Sequence, residues 1–170
     1  MKKLSFLAGL IVGALLIPTG AYLYFAGGYA PVATAAAPMP FEKTLARTAL
    51  HARLTKEMPK SVPIEPTEEN LLAGAALYNE QCAVCHGLPD TAKTAIAAGM
   101  FPKPPQLFRG KGVTDDEPGE TYWKVANGIR LTGMPGFGAT LKDDQLWQVS
   151  LVLAHADKLP ESVRNRLTSK

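Results

Sequence analysis

The sequence predicts an all-helical protein: an apolar helix at the N-terminus, then an amphipathic helix, then a helical domain. Three observations point there. An uncharged stretch runs from Leu4 to Phe41, and its most apolar part, Leu4 to Phe25 or Gly28, has the length of a membrane-spanning helix. Phe41 to Met58 places Phe41, Leu45, Ala49 or Leu50, Ala52 and Leu54 close to helical spacing. Helix-start chemistry recurs at Thr67, with Glu68 and Glu69 behind it, and at Pro118, which follows Asp115, Asp116 and Glu117.

Charge is spread unevenly over the 170 residues. Residues 1–66 hold seven Lys/Arg and three Asp/Glu, a net of +4, whereas residues 67–170 hold eleven and twelve, a net of −1. The basic character therefore belongs to the N-terminal third and not to the predicted domain. Bases and aromatics do not cluster together on one predicted face, which excludes a nucleic-acid-binding role.

Lys2 and Lys3 precede the apolar stretch. That stretch is long enough to cross a hydrocarbon core of about 30 Å. Its glycines and Pro18 are tolerated in spanning helices, and Tyr22, Tyr24 and Tyr29 lie toward one end, where an interfacial belt would sit. The competing reading is a cleaved signal peptide with Leu4 to Ile17 as its apolar region. Against it, Tyr22 to Phe25 keeps the segment hydrophobic, and the nearest good small-residue site, Ala33-Thr34-Ala35, comes late. The two lysines favour a cytoplasmic N-terminus with the rest of the chain outside. Residues 1–30 are therefore read as a transmembrane anchor or uncleaved signal.

Residues 31–66 read as a linker. Ala30 to Pro40 is rich in Ala and Pro and uncharged, which gives an extended connection. The amphipathic helix over Phe41 to Met58 follows; it can dock on the domain, lie on the membrane or meet a partner. Pro59, Pro63 and Pro66 end it in a stiff link.

The domain begins at Thr67, which caps a helix whose apolar face carries Leu71, Leu72, Ala75 and Tyr78 through to Gln81. Straight after it stands Cys82-Ala83-Val84-Cys85-His86. Two thiols three residues apart can each add to one of two vinyl groups on a haem edge, and the adjacent imidazole then meets the iron. A thioredoxin-like pair needs a strand before it, but a helix precedes Cys82. A structural zinc site needs four ligands, and the chain has no third cysteine. A disulfide across two intervening residues is strained.

An electron-transfer haem needs a second axial ligand, usually methionine. Met100, Met134 and His155 are the candidates after His86. Met134 sits in Asn127-Gly128-Ile129-Arg130-Leu131-Thr132-Gly133-Met134-Pro135-Gly136-Phe137-Gly138, where glycines allow close backbone approach and unusual φ values. Met100 lies only fourteen residues past His86, which is short for wrapping round a ring, and His155 falls within the last predicted helix, on its surface. Met134 is the expected ligand. Asp115, Asp116, Glu117 and Glu120 are read as helix-start acids and not as a metal site.

From Thr67 to Pro160 the chain resembles a class I cytochrome c, in the form found in bacterial periplasmic and membrane-anchored carriers. Besides Cys82-Ala83-Val84-Cys85-His86 and Met134, Gly74 and Tyr78 stand eight and four residues before Cys82. They match the glycine and aromatic of the family's first helix, where the glycine permits close crossing with the last helix. The resemblance implies that this last helix is Asp143 to about Asp157, with Leu146, Trp147, Val149, Ser150 and Leu153 on its buried side. Phe101-Pro102-Lys103-Pro104-Pro105-Gln106-Leu107 resembles the segment under the haem, where a backbone carbonyl orients the ligating imidazole. Pro104 is the expected residue, with Pro102 and Pro105 equal in register. Thr121 to Asn127 resembles the middle helix, and either ordinary packing or contact with the haem is open to Tyr122 and Trp123. The implied fold is all-α, three to four short helices around one haem, with residues 67–160 as the monohaem domain and 161–170 as a basic tail.

The expected function follows. One covalent haem c, held by Cys82 and Cys85 with His86 and Met134 on its iron, would pass single electrons between redox proteins with no open site for bond chemistry. The chain would sit in the bacterial inner membrane through its N-terminal helix, haem domain facing the periplasm, as a carrier or as a subunit of a respiratory or photosynthetic complex. The alternative is a haem-based sensor or enzyme with a labile sixth ligand.

Overall fold

A computed structural model describes residues 2–168 as eight helices, with no strand among those residues. The backbone falls into two compact units that divide between Leu45 and Ala46.

The first unit contains helix α1 (Lys2–Ala26). Its 25 residues rise about 37 Å at 1.5 Å each, and Lys3–Ala26 has a mean hydropathy of 2.0. This is the one described helix long and apolar enough to cross a membrane. Gly28, with φ of +76°, breaks it, and the rings of Tyr24 and Tyr29 stack at its end with centroids 6.2 Å apart. Helix α2 (Glu42–Glu57) starts where the Glu42 carboxylate accepts from the Met39 N–H at 2.8 Å.

In the second unit, the later part of α2 is tied to the helical domain. Leu54 is buried, and Glu57 accepts a hydrogen bond from Trp123 Nε1 at 3.1 Å. The proline-rich segment that follows is not a free link, because the Pro59 carbonyl lies directly over the backbone of Gly119.

Helix α3 (Glu68–Gln81) begins as its sequence dictates, with Thr67 Oγ1 accepting the Asn70 N–H at 3.3 Å. The short helix α4 (Ala83–His86) carries the cysteine–histidine motif, and α5 (Ala95–Gly99) is capped by Thr94. Helix α6 (Pro118–Asn127) starts on its proline. The acids around its start are held in ion pairs, Lys124 meeting Glu120 of the first turn at 2.5 Å and Asp116 at 3.6 Å, and Lys111 meeting Asp115 at 3.5 Å. Among the described residues no group of three or more His, Cys, Asp or Glu is placed to hold a metal ion.

Helix α7 (Asp143–Ala154) opens with Gln145 Oε1 accepting the Lys142 N–H at 2.9 Å. It is shorter than expected. His155 is its C-cap and half-buried, with Nδ1 2.9 Å from the Leu151 carbonyl, so the histidine placed on the helix surface is turned back onto the chain.

The core is the meeting of α3, α6, α7 and a helix that the sequence pattern concealed. Residues expected as a basic tail form α8 (Glu161–Thr168), which packs on α3 with Val163 and Leu167 fully buried. One i,i+4 apolar pair among Arg164, Asn165 and Arg166 is too short a pattern to register as a helix face. Leu71, Ala75 and Tyr78 of α3 meet Val149 and Val152 of α7 in the same cluster. Leu167→Ala is expected to cost about 2–5 kcal/mol, measured as a lower denaturant midpoint; a dispensable tail would show no change.

Candidate haem site

The motif sits where α3 hands over to α4. Backbone bonds from the Cys85 and His86 N–H groups return to the Cys82 carbonyl at 3.1 and 2.9 Å, so one turn presents both sulfurs and the imidazole. The two cysteines are not joined to each other, and both are half-exposed. Burial, with Cys85 beside it, pushes the Cys82 thiol up to about 12.

His86 is oriented from its Nδ1 side, which lies 2.9 Å from the carbonyl oxygen of Pro105. As donor, Nδ1–H leaves Nε2 as the lone-pair nitrogen, the tautomer a metal requires. Burial lowers the pKa of His86, and the Pro105 bond opposes that shift. The ring is thus favoured in its neutral form. The expected carbonyl was that of Pro104. An extended proline run turns about once every three residues, so successive carbonyls point in different directions and only one can face the ring. Spacing in the sequence does not select it; the fold selects Pro105.

Backbone bonds hang the Met134 turn from the end of α6. The Phe137 N–H donates to the Val125 carbonyl at 2.9 Å, and that of Gly138 to the Ala126 carbonyl at 3.0 Å. Gly128, with φ of +67°, lets the returning chain pass so close that a Cβ there would lie 2.5 Å from Gly136 N. Across the turn, Ile129 and Met134 form an isolated antiparallel bridge, N to O 3.2 Å.

Thr132 closes this turn, and sequence reasoning did not single it out. Its Oγ1 donates to the Ile129 carbonyl at 2.7 Å and accepts the Met134 N–H at 3.2 Å. Its place two residues before the methionine was the available signal. Met100, set aside as a ligand, also reaches this turn: its Cε would lie 2.7 Å from a Cβ on Gly133. At the tip, Leu131 takes φ of +62° and is 92% exposed. An open cleft of about 410 Å³ is lined by Asn127, Ile129, Arg130, Met134 and Pro135, among others.

Cys82 and Met134 pack against the same apolar core, together with half-buried Leu88, Leu107, Phe108, Val113 and Phe137. The donor set and its surroundings fit a haem: two unpaired thiols on one turn, an imidazole with a free Nε2, a thioether, and an apolar rim. Tyr122 and Trp123 are engaged with protein. Tyr122 stacks on Trp147 at 4.3 Å and donates to Asp143, which with burial raises its hydroxyl to about 12. Trp123 reaches Glu57.

Thr132→Val, which keeps the shape and removes both hydroxyl bonds, is expected to lower stability by about 1 kcal/mol on denaturant titration, with Thr132→Ser restoring it. A Met134 turn held by its glycines alone would leave the valine variant unchanged.

The family model described as cytochrome C oxidase, cbb3-type, subunit III matches residues 69–151. No curated protein matches the chain. Among solved structures, a chain of the Kuenenia stuttgartiensis reducing HAO-like protein complex Kustc0457/Kustc0458 is similar at 29% identity and a TM-score of 0.49. The similarity covers 56% of this chain and 47% of that chain, so it spans about half the length of the solved relative. The all-helical domain, the Cys82–His86 motif at the end of its first helix and the family match from α3 into α7 together support a class I c-type cytochrome, a family whose cofactor is haem c.

Proposed function

We propose that the chain carries a single haem c and passes single electrons between redox proteins, anchored by α1 in the bacterial inner membrane with the haem domain facing the periplasm. Cys82 and Cys85 would hold the haem through thioether bonds, and His86 and Met134 would ligate its iron. The observation that carries this reading is the 2.9 Å contact of His86 Nδ1 with the Pro105 carbonyl, which frees Nε2 on the turn that presents both thiols. A count of one haem is supported by the two cysteines of the whole sequence, both in one motif.

Bound haem c supplies a one-electron iron couple. His86 and Met134 would both ligate the iron, which suits electron transfer over chemistry on a bound substrate. Met134 is neutral and soft, so it favours the reduced state relative to a second imidazole. The apolar core that Met134 packs against would limit water on that side, which would keep reorganisation small. The membrane reading is supported by the length and hydropathy of α1, and the orientation by Lys2 and Lys3. Carrier and complex subunit are both forms of this function, and the matching family's name supports the subunit form.

Absorption spectra test it. The protein made in a host with haem-attachment machinery, oxidised, reduced and denatured in pyridine, is expected to show a c-type pyridine spectrum and a weak far-red sulfur-to-iron band. Met134→Ala is expected to lose that band and to bind carbon monoxide. A wild type with covalent haem, no far-red band and ready carbon monoxide binding would overturn the carrier and leave a sensor or enzyme.

A further inference from the structure

We infer that Tyr78 is a positioning residue for the His86 imidazole, its hydroxyl holding the backbone just after His86 to the core helix α3. The inference rests on the haem reading above and adds to it a residue outside the ligand set.

Tyr78 is fully buried, and its Oη donates to the Gly87 carbonyl at 2.7 Å. A buried phenol needs an acceptor. The acceptor here belongs to the residue directly bonded to His86. Burial raises the pKa of the hydroxyl, which keeps it a protonated donor. Its ring is fixed edge-on to Phe108, centroids 5.0 Å apart.

Gly87 is clasped from a second side. It takes φ of +75°, and a Cβ on it would lie 2.5 Å from Gln106 Oε1. Gln106 follows Pro105, whose carbonyl meets His86 Nδ1. Tyr78 to Gly87, Gly87 to Gln106, and Pro105 to His86 therefore close a ring of contacts around the imidazole. Phe108, three residues past Pro105, returns that ring to Tyr78. His86 cannot turn on its backbone without stretching either the Tyr78 bond or the Pro105 bond.

The functional consequence runs through Nδ1. A strong bond from Nδ1–H to a carbonyl makes Nε2 a better electron donor to a metal. Loss of the Tyr78 hydroxyl frees Gly87, loosens the Pro105 bond and makes Nε2 a weaker donor to oxidised iron. The midpoint potential should rise.

The test is Tyr78→Phe in the full-length haem-loaded protein, read by redox titration and by proton NMR of the reduced state. The expected result is a higher midpoint potential and about tenfold faster exchange of the His86 Nδ1 proton. A lower melting temperature with potential and exchange both unchanged would show simple packing and overturn the inference. If Tyr78→Phe fails to mature, 2,3-difluorotyrosine placed at position 78 decides: its more acidic hydroxyl donates more strongly, so the potential should fall, and an unchanged potential overturns the proposal. A wild type without His86 ligation spectra would instead remove the haem reading itself, an outcome visible before any variant is made.

Discussion

The crossing of α3 on α7 at Gly74 sets the register of the domain. A side chain there would place its Cβ 2.2 Å from the Gln148 carbonyl and 2.8 Å from Val152 Cγ2, so two backbones meet where most helix pairs are held apart by side chains. Gln148 Nε2 adds a 3.1 Å bond to Asn70 Oδ1 beside the crossing. The approach interleaves Leu71, Ala75 and Tyr78 with Val149 and Val152, and from this the rest of the core is built outward. Helix α8 closes the other flank of α3, with Asn79 Nδ2 donating to the Arg166 carbonyl at 2.8 Å.

Both halves of the candidate site take their positions from α7. His86 reaches it through α3, on whose C-terminal end the cysteine turn is grown. Met134 reaches it through α6, which stacks on α7 by Tyr122 and Trp147 and carries the methionine turn on the carbonyls of Val125 and Ala126. The loop between them is held by local bonds of its own: Thr94 caps α5 while donating to the Val84 carbonyl at 2.6 Å, and Arg109 donates to the Thr91 carbonyl at 3.0 Å. A pair of side chains referenced to one helix in this way keeps its spacing when surface loops move.

Local chemistry made much of this legible in advance. Thr67 with its two acids and Pro118 each act within a few residues and start helices as their types dictate, and Cys82 to His86 form one turn. Gly74 needed the family resemblance, since a glycine at a crossing differs from any other helical glycine only by its partner. The choice of Pro105 over Pro104 and the burial of Val163 and Leu167 depend on where another segment lands, whereas the Tyr78 and Thr132 hydroxyl bonds stay within nine residues and leave no periodic trace. Sequence patterns encode periodicity, and a single hydrogen bond has none. The same limit hid the docking of the Pro59 carbonyl on Gly119, which joins to the domain a segment that reads as linker.

Charge and tether then bear on how such a cytochrome would meet its partners. Residues 67–170 carry eleven basic and twelve acidic side chains, nearly neutral in sum. Long-range steering grows with net charge and is screened beyond about 8 Å at physiological salt, so it gives this domain little help in finding a partner. A membrane tether of the proposed kind would supply what the weak charge does not. A domain confined near its partners by a short connection encounters them at an effective concentration set by tether length, without any added contact. In the proposed arrangement α1 would raise the encounter rate while the near-neutral domain leaves each encounter brief. That combination would suit the proposed exchange of one electron, in which no substrate would have to bind.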